Sequence, residues 1–150
     1  MERAKEVVRL HTGDPCLYGA IREQMDAMDK LGITYDTCPG VSSFCGTAAA
    51  LQMEYTLPGI SQSVIITRMA GRTPVPERES IRQFASHQAT MVIFLSTGML
   101  KELSKELMQG DTARIRRLLL YTRQPGRKRK PCVPLWQSWQ RQRSVNILQK

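Results

Sequence analysis

The chain has 150 residues, 41% of them hydrophobic, enough for a buried core of ordinary domain size. No apolar run approaches the roughly 20 residues of a membrane-spanning helix; Met91-Val92-Ile93-Phe94-Leu95 comes nearest. Glu2, Arg3, Lys5 and Glu6 leave no hydrophobic signal region at the start, so the expected location is cytoplasmic.

In chain order, Val7-Val8-Arg9-Leu10 reads as a short apolar strand. Ala20 to Leu31 reads as a helix, with Ile21, Met25, Met28 and Leu31 on one face and Gly32 stopping it. A strand is predicted over Ile33 to Thr37, and an alanine-rich helix over Ser43 to Leu51. Thr56-Leu57-Pro58-Gly59 is a turn and a candidate domain boundary. Ser63 to Thr67 reads as a buried strand, and Gly71-Arg72-Thr73-Pro74-Val75-Pro76 as a loop that its prolines keep from being helical. A helix follows over Glu77 to Ala85, with Pro76 at its start. Ala89 to Leu95 has the near-continuous apolar run of a parallel strand covered on both faces. Gly98 to Met108 is a further helix, with Met99, Leu100, Leu103 and Leu107 inward. Strands alternating with helices predict an α/β fold.

Two turns carry the functional signal. His11-Thr12-Gly13-Asp14-Pro15-Cys16 links the first strand to the first helix, and Cys38-Pro39-Gly40-Val41-Ser42-Ser43 links the second pair. Strand-to-helix turns lie at the carboxyl ends of strands, where open α/β sheets bind ligands. Gly13 permits close backbone approach or a positive φ. Asp14 is suited to capping the helix, and Pro15 to its first position. His11 is a candidate acid or base, or a hydrogen-bonded turn histidine.

Cys16, Cys38, Cys45 and Cys132 form no Cys-x-x-Cys pair, so no metal site is expected and buried reduced thiols are. The net charge of +9 is unevenly placed. Residues 1–110 hold 11 Lys and Arg against 12 Asp and Glu, whereas residues 111–150 hold 11 against the single acid Asp111. The charge step marks a boundary near Gly110, after which no helix or strand period of useful length is visible. Such a tail allows nucleic-acid binding; the near-neutral first 110 residues and the lack of a binding motif weigh against it.

The order Val8-Arg9-Leu10-His11-Thr12-Gly13-Asp14-Pro15, Tyr18-Gly19-Ala20, Glu23-Gln24-Met25, Pro39-Gly40-Val41-Ser42-Ser43-Phe44, Thr56-Leu57-Pro58, Ser61-Gln62, Gly71-Arg72-Thr73-Pro74 and Ala89-Thr90-Met91 resembles the tetrapyrrole (corrin/porphyrin) methylases. The likeness runs over about residues 3–110. It implies two α/β domains with a cofactor cleft between them, divided here as 1–58, 59–110 and a basic tail over 111–150. It further implies S-adenosyl-L-methionine as cofactor and methyl transfer to C11 of precorrin-4 or cobalt-precorrin-4, a corrin precursor of cobalamin, by a homodimeric enzyme. Carried onto this sequence, Gly13, Asp14, Leu17, Ser42, Ser43 and Leu95 would bind the cofactor. Asp14 would hold the donor or assist a proton step as the catalytic residue, and Arg68, Arg72 and His11 would meet the substrate.

The same resemblance carries departures. The family pattern has a strand and a Gly-x-Gly-Pro-Gly-Asp loop ahead of the first motif found here, which predicts that the first strand and one cofactor loop are missing. The tail leaves the pattern from residue 111. A one-nucleotide change of frame near codon 110 would account for this, since residues 121–130 admit codons that in the shifted frame encode His-Ala-Ala-Thr-Trp-Pro-Glu-Glu-Lys, similar to the family. The expectation is poor solubility and weak or absent methyl transfer, with a catalytically dead interaction domain as the third reading.

Overall fold

The computed structural model describes residues 6–110, together with the backbone of Leu119–Leu120 and Val133–Pro134. The expectations for the basic tail otherwise lie outside the described residues. Two compact units divide between Gln52 and Met53.

The first unit contains α1 (Arg22–Lys30) and α2 (Ser43–Leu51). In α1, Glu23 in the first turn and Lys30 in the last complement the helix dipole. An exposed Arg22–Asp26 ion pair spans one turn of its surface at 2.6 Å. Ile21, Met25 and Met28 are half-buried, and Leu31 is exposed. The α2 boundaries coincide with those predicted.

Neither strand expected in this unit forms. Residues 7–10 and 33–37 carry no ladder, and Val7, Val8 and Leu10 are 80–89% exposed. A strand exists only through a neighbour's hydrogen bonds, and none of the described residues supplies one; apolar content alone is insufficient. Asp14 and Pro15 do not open α1 either. A separate turn over residues 15–18 intervenes, closed by the Leu17 N–H donating to the Asp14 carbonyl at 3.2 Å, and α1 begins only at Arg22.

The second unit contains β1 (Val64–Arg68), α3 (Ile81–Ser86), β2 (Thr90–Phe94) and α4 (Leu100–Gln109). β1 and β2 pair in parallel, with Val64 opposite Thr90 and Arg68 opposite Phe94. The parallel prediction holds, but β2 is half-buried throughout rather than enclosed, because among the described residues it has a sheet neighbour on one side only. The turn at Leu57 is a tight reversal, with Leu57 and Ser61 exchanging backbone hydrogen bonds of 2.8 and 3.0 Å.

The helix predicted over Glu77 to Ala85 is broken. Glu77–Glu79 form a 3₁₀ turn, Ser80 is extended (φ −64°, ψ 152°), and α3 starts after it. The Ser80 hydroxyl accepts the Gln83 N–H at 3.3 Å, satisfying an otherwise orphaned donor. The last helix likewise begins as a 3₁₀ turn, Thr97–Met99, before α4.

The core sits in this second unit. Ile81 and Ala85 on α3 and Leu103 and Leu107 on α4, each pair one turn apart, are 2–6% exposed. Met69, Met91, Ile93 and Leu100 pack around them. Burial of the larger side chains, Ile81, Leu103 and Leu107, stabilises by about 1.5–3 kcal/mol each. Beyond Gly110, Leu119–Leu120 (β3) and Val133–Pro134 (β4) pair antiparallel. The sequence predicts no element there, because a two-residue ladder has no period to read.

Candidate functional site

In the first unit, the two turns singled out in the sequence come together. Asp14 joins them. Its Oδ1 accepts the Cys16 N–H at 2.8 Å, forming a turn within its own segment. Its Oδ2 accepts the Gly40 N–H at 3.1 Å, from 26 residues further along. Gly40 lies so close to the Gly13 carbonyl that a Cβ on it would overlap that oxygen. Gly13 has φ +76°, and a Cβ there would stand 3.6 Å from the Val41 carbonyl oxygen and 3.7 Å from the Ser43 nitrogen. The two backbones can meet because Gly40 has no side chain, whereas Gly13 has room for a Cβ and is favoured instead by its positive φ.

Pro15 and Ser42 are the buried residues among those described in this unit. Ser42 starts α2, its carbonyl accepting the Cys45 and Gly46 N–H groups at 3.0 and 3.3 Å. Ser43 and Gly13 remain exposed, and Leu17 and His11 are half-buried. Past the first turn, Tyr18 and Ala20 both take positive φ (55° and 50°), an uncommon backbone for residues with a Cβ. The Asp14 carboxyl is held below its ordinary value, first by the Cys16 N–H and then by that of Gly40, since both donors favour the charged form. Both oxygens thus have backbone partners, so the side chain is suited to holding loops rather than to taking a proton.

The thiols of Cys16, Cys38 and Cys45 are free, as expected, but exposed rather than buried. They sit on turns and a helix that have no core beneath them; Cys132 lies outside the described residues. Among the described residues, no cluster of three or more His, Cys, Asp or Glu side chains could hold a metal ion.

In the second unit, Leu95, Arg68 and Arg72 lie at the carboxyl end of the parallel pair. Leu95 directly follows β2, has φ +55° and is 73% exposed. Arg68 ends β1, and its guanidinium donates to the carbonyls of Met69 (3.2 Å), Thr73 (3.0 Å) and Pro74 (3.0 Å). Arg72 stands in the loop that these bonds close; it is exposed, and its guanidinium has no hydrogen bond or ion pair among the described residues.

Sequence reasoning overlooked two residues. The sequence offers Gly40 as part of a Pro-Gly pair, without a place in the site. Ser96 gave no signal, yet it is 2% exposed, donates to the Phe94 carbonyl at 2.7 Å and accepts the Met69 N–H at 3.1 Å.

Comparison with known proteins identifies the family. Residues 1–122 match the tetrapyrrole (corrin/porphyrin) methylases. A cobalt-precorrin-4 C(11)-methyltransferase from Methanocaldococcus jannaschii is 54% identical over 110 residues, covering 73% of this chain and 42% of that protein. A precorrin-4 C(11)-methyltransferase from Pseudomonas aeruginosa is 46% identical over 106 residues, covering 71% of this chain and 42% of that protein. The crystal structure of a cobalamin biosynthetic enzyme, cobalt precorrin-4 methyltransferase, superposes with a TM-score of 0.64 at 45% identity, over 67% of this chain and 42% of that one. The chain therefore spans 42% of the length of these relatives. With 122 residues matched and an α/β architecture in common, the chain belongs to the tetrapyrrole (corrin/porphyrin) methylase family.

Proposed function

We propose that this chain carries donor- and acceptor-binding residues for methyl transfer to C11 of precorrin-4 or cobalt-precorrin-4, with S-adenosyl-L-methionine as the donor. In this reading, residues 1–58 belong to a first α/β domain and residues 59–110 begin a second. The observation that carries it is the clasp of Gly13-Asp14 onto Gly40-Val41-Ser42-Ser43. The absence of a side chain at Gly40 lets the two turns close on each other, which brings the exposed Gly13 and Ser43 to one place where a ligand could meet both. The residues present fit a polar, zwitterionic cofactor on these grounds.

When bound, S-adenosyl-L-methionine supplies a methyl group already activated on a sulfonium. Little acid–base work is then required of the protein, and in-line positioning is its main contribution. Gly13, Ser42 and Ser43 hold the donor through backbone and hydroxyl groups. Asp14 fixes the two turns relative to each other as a charged carboxylate. Leu17 offers apolar contact. His11 and Arg72 are the substrate-side residues, Arg72 because its guanidinium, without a partner among the described residues, suits the carboxylates of a tetrapyrrole.

Titration calorimetry of the chain with S-adenosylhomocysteine, the demethylated cofactor, tests the donor half. Saturable 1:1 binding that Gly40→Ala abolishes is expected. Absence of binding to the native chain, or binding untouched by Gly40→Ala, counts against the reading.

A further inference from the structure

The loop between β1 and the 3₁₀ turn at Glu77 is held by bonds of unusual economy. Arg68 uses three donor contacts on three backbone carbonyls, two of them, at Thr73 and Pro74, on the far side of the loop. Thr73 also accepts the Gly71 N–H at 3.3 Å, so one carbonyl receives both a local and a cross-loop bond. Pro74 and Pro76 add stiffness of their own, confining the residues before them to extended backbone. At the base of the loop, the buried Ser96 hydroxyl bridges the Met69 N–H to the Phe94 carbonyl. The carboxyl ends of β1 and β2 are thereby joined beyond the last ladder pair, Arg68 opposite Phe94. Leu95, between the two joined residues, is left outward at positive φ.

A guanidinium already spread across three carbonyls is poorly placed to form a fork with a ligand carboxylate. Arg72, four residues on, is exposed and has no such partners among the described residues. We infer that Arg68 and Ser96 are positioning residues: together they lock the Met69–Pro74 loop onto the ends of β1 and β2, and so present Arg72 to a carboxylate of the tetrapyrrole substrate. The identity of that substrate rests on the function proposed above, and the inference changes it in one respect, by removing Arg68 from direct substrate contact. A lysine cannot do what Arg68 does, because an ammonium is a point donor and cannot span the Thr73 and Pro74 carbonyls from two nitrogens.

Short trypsin digestion of the full chain tests the lock, with the Arg72–Thr73 bond followed by mass spectrometry. Arg68→Lys keeps the charge and the trypsin sites. In Arg68→Lys and in Ser96→Ala, cleavage at Arg72–Thr73 is expected to run about tenfold faster than in the native chain, because local opening becomes easier. Cleavage after Lys105, inside α4, should stay unchanged and reports that the unit remains folded. The second readout is binding of uroporphyrin, a polycarboxylate tetrapyrrole, by absorbance titration. Arg72→Ala, Arg68→Lys and Ser96→Ala should each weaken it. Ser96 is too buried to touch the ligand, so its effect reports positioning alone. Equal cleavage in native and variant chains overturns the lock. Weaker uroporphyrin binding in Arg68→Lys with Arg72–Thr73 still protected and Ser96→Ala normal would make Arg68 a direct ligand and overturn the inference. If the native chain binds no uroporphyrin, the presentation of Arg72 and the substrate reading fall, while the cleavage rates still decide the lock.

Discussion

Asp14 joins two chain segments through one carboxylate, and its ionisation should be visible in both. Its pKa is lowered from the ordinary 3.8 by the Cys16 and Gly40 N–H groups. A depressed carboxylate stabilises the fold at pH values above its unfolded pKa, and that contribution is lost as pH falls through the folded value. The clasp should therefore be intact at neutral pH and open only below 3.8. A pH titration of the Gly40 amide resonance checks this; an inflection above 3.8 would contradict it. Asp14→Asn should remove the inflection, because a carboxamide does not titrate there, and should loosen the clasp, because its nitrogen cannot accept the second N–H bond. At Gly40 the constraint is steric. Gly40→Ala forces its Cβ into the Gly13 carbonyl and should cost about 1–3 kcal/mol, the usual range for overpacking, measured by urea unfolding of the first unit.

Among the elements, α3 and α4 carry the stability. Leu103 and Leu107 face Ile81 and Ala85 and are nearly inaccessible. Leu103→Ala should destabilise by about 2–5 kcal/mol, the lost transfer energy plus a cavity. Ser80→Ala should cost about 1 kcal/mol through the lost cap, with the 3₁₀ turn at Glu77 left intact. Urea denaturation followed by circular dichroism checks both, and a smaller effect for Leu103→Ala than for Ser80→Ala would refute the assignment of the core. The interruption at Ser80 is a case of local chemistry overriding pattern: a serine that can bond the N–H three residues on favours a new helix start over an uninterrupted helix.

Across the molecule, the two units differ in what holds them. The second has a buried cluster and a parallel ladder. The first has half-buried helices, the Asp14 clasp, and the apolar residues Val7, Val8 and Leu10 in the open. Protection against hydrogen exchange should follow the same division. Amides of β1, β2, α3 and α4 are expected to exchange far more slowly than those of α1 and α2; equal protection in both units would contradict this. No helix among the described residues is long and apolar enough to cross a membrane.

The sequence by itself determined the order and type of most elements, because helix and strand periods are local. The α2 boundaries, the turn at Leu57 and the strand segments that become β1 and β2 are examples. The motifs around Gly13-Asp14 and Pro39-Gly40 also carried the family, since glycine and proline leave a signature wherever the backbone must turn or approach closely. Only the tertiary structure decided whether Val7-Val8-Arg9-Leu10 and Ile33–Thr37 become strands, because a ladder needs a partner that no local pattern names. It also placed Asp14 on Gly40 rather than on the start of α1, folded the Arg68 guanidinium back onto its own loop, and buried Ser96. Those outcomes depend on which distant donor or acceptor comes within about 3 Å of a polar atom, a property of the folded chain that residue spacing does not contain.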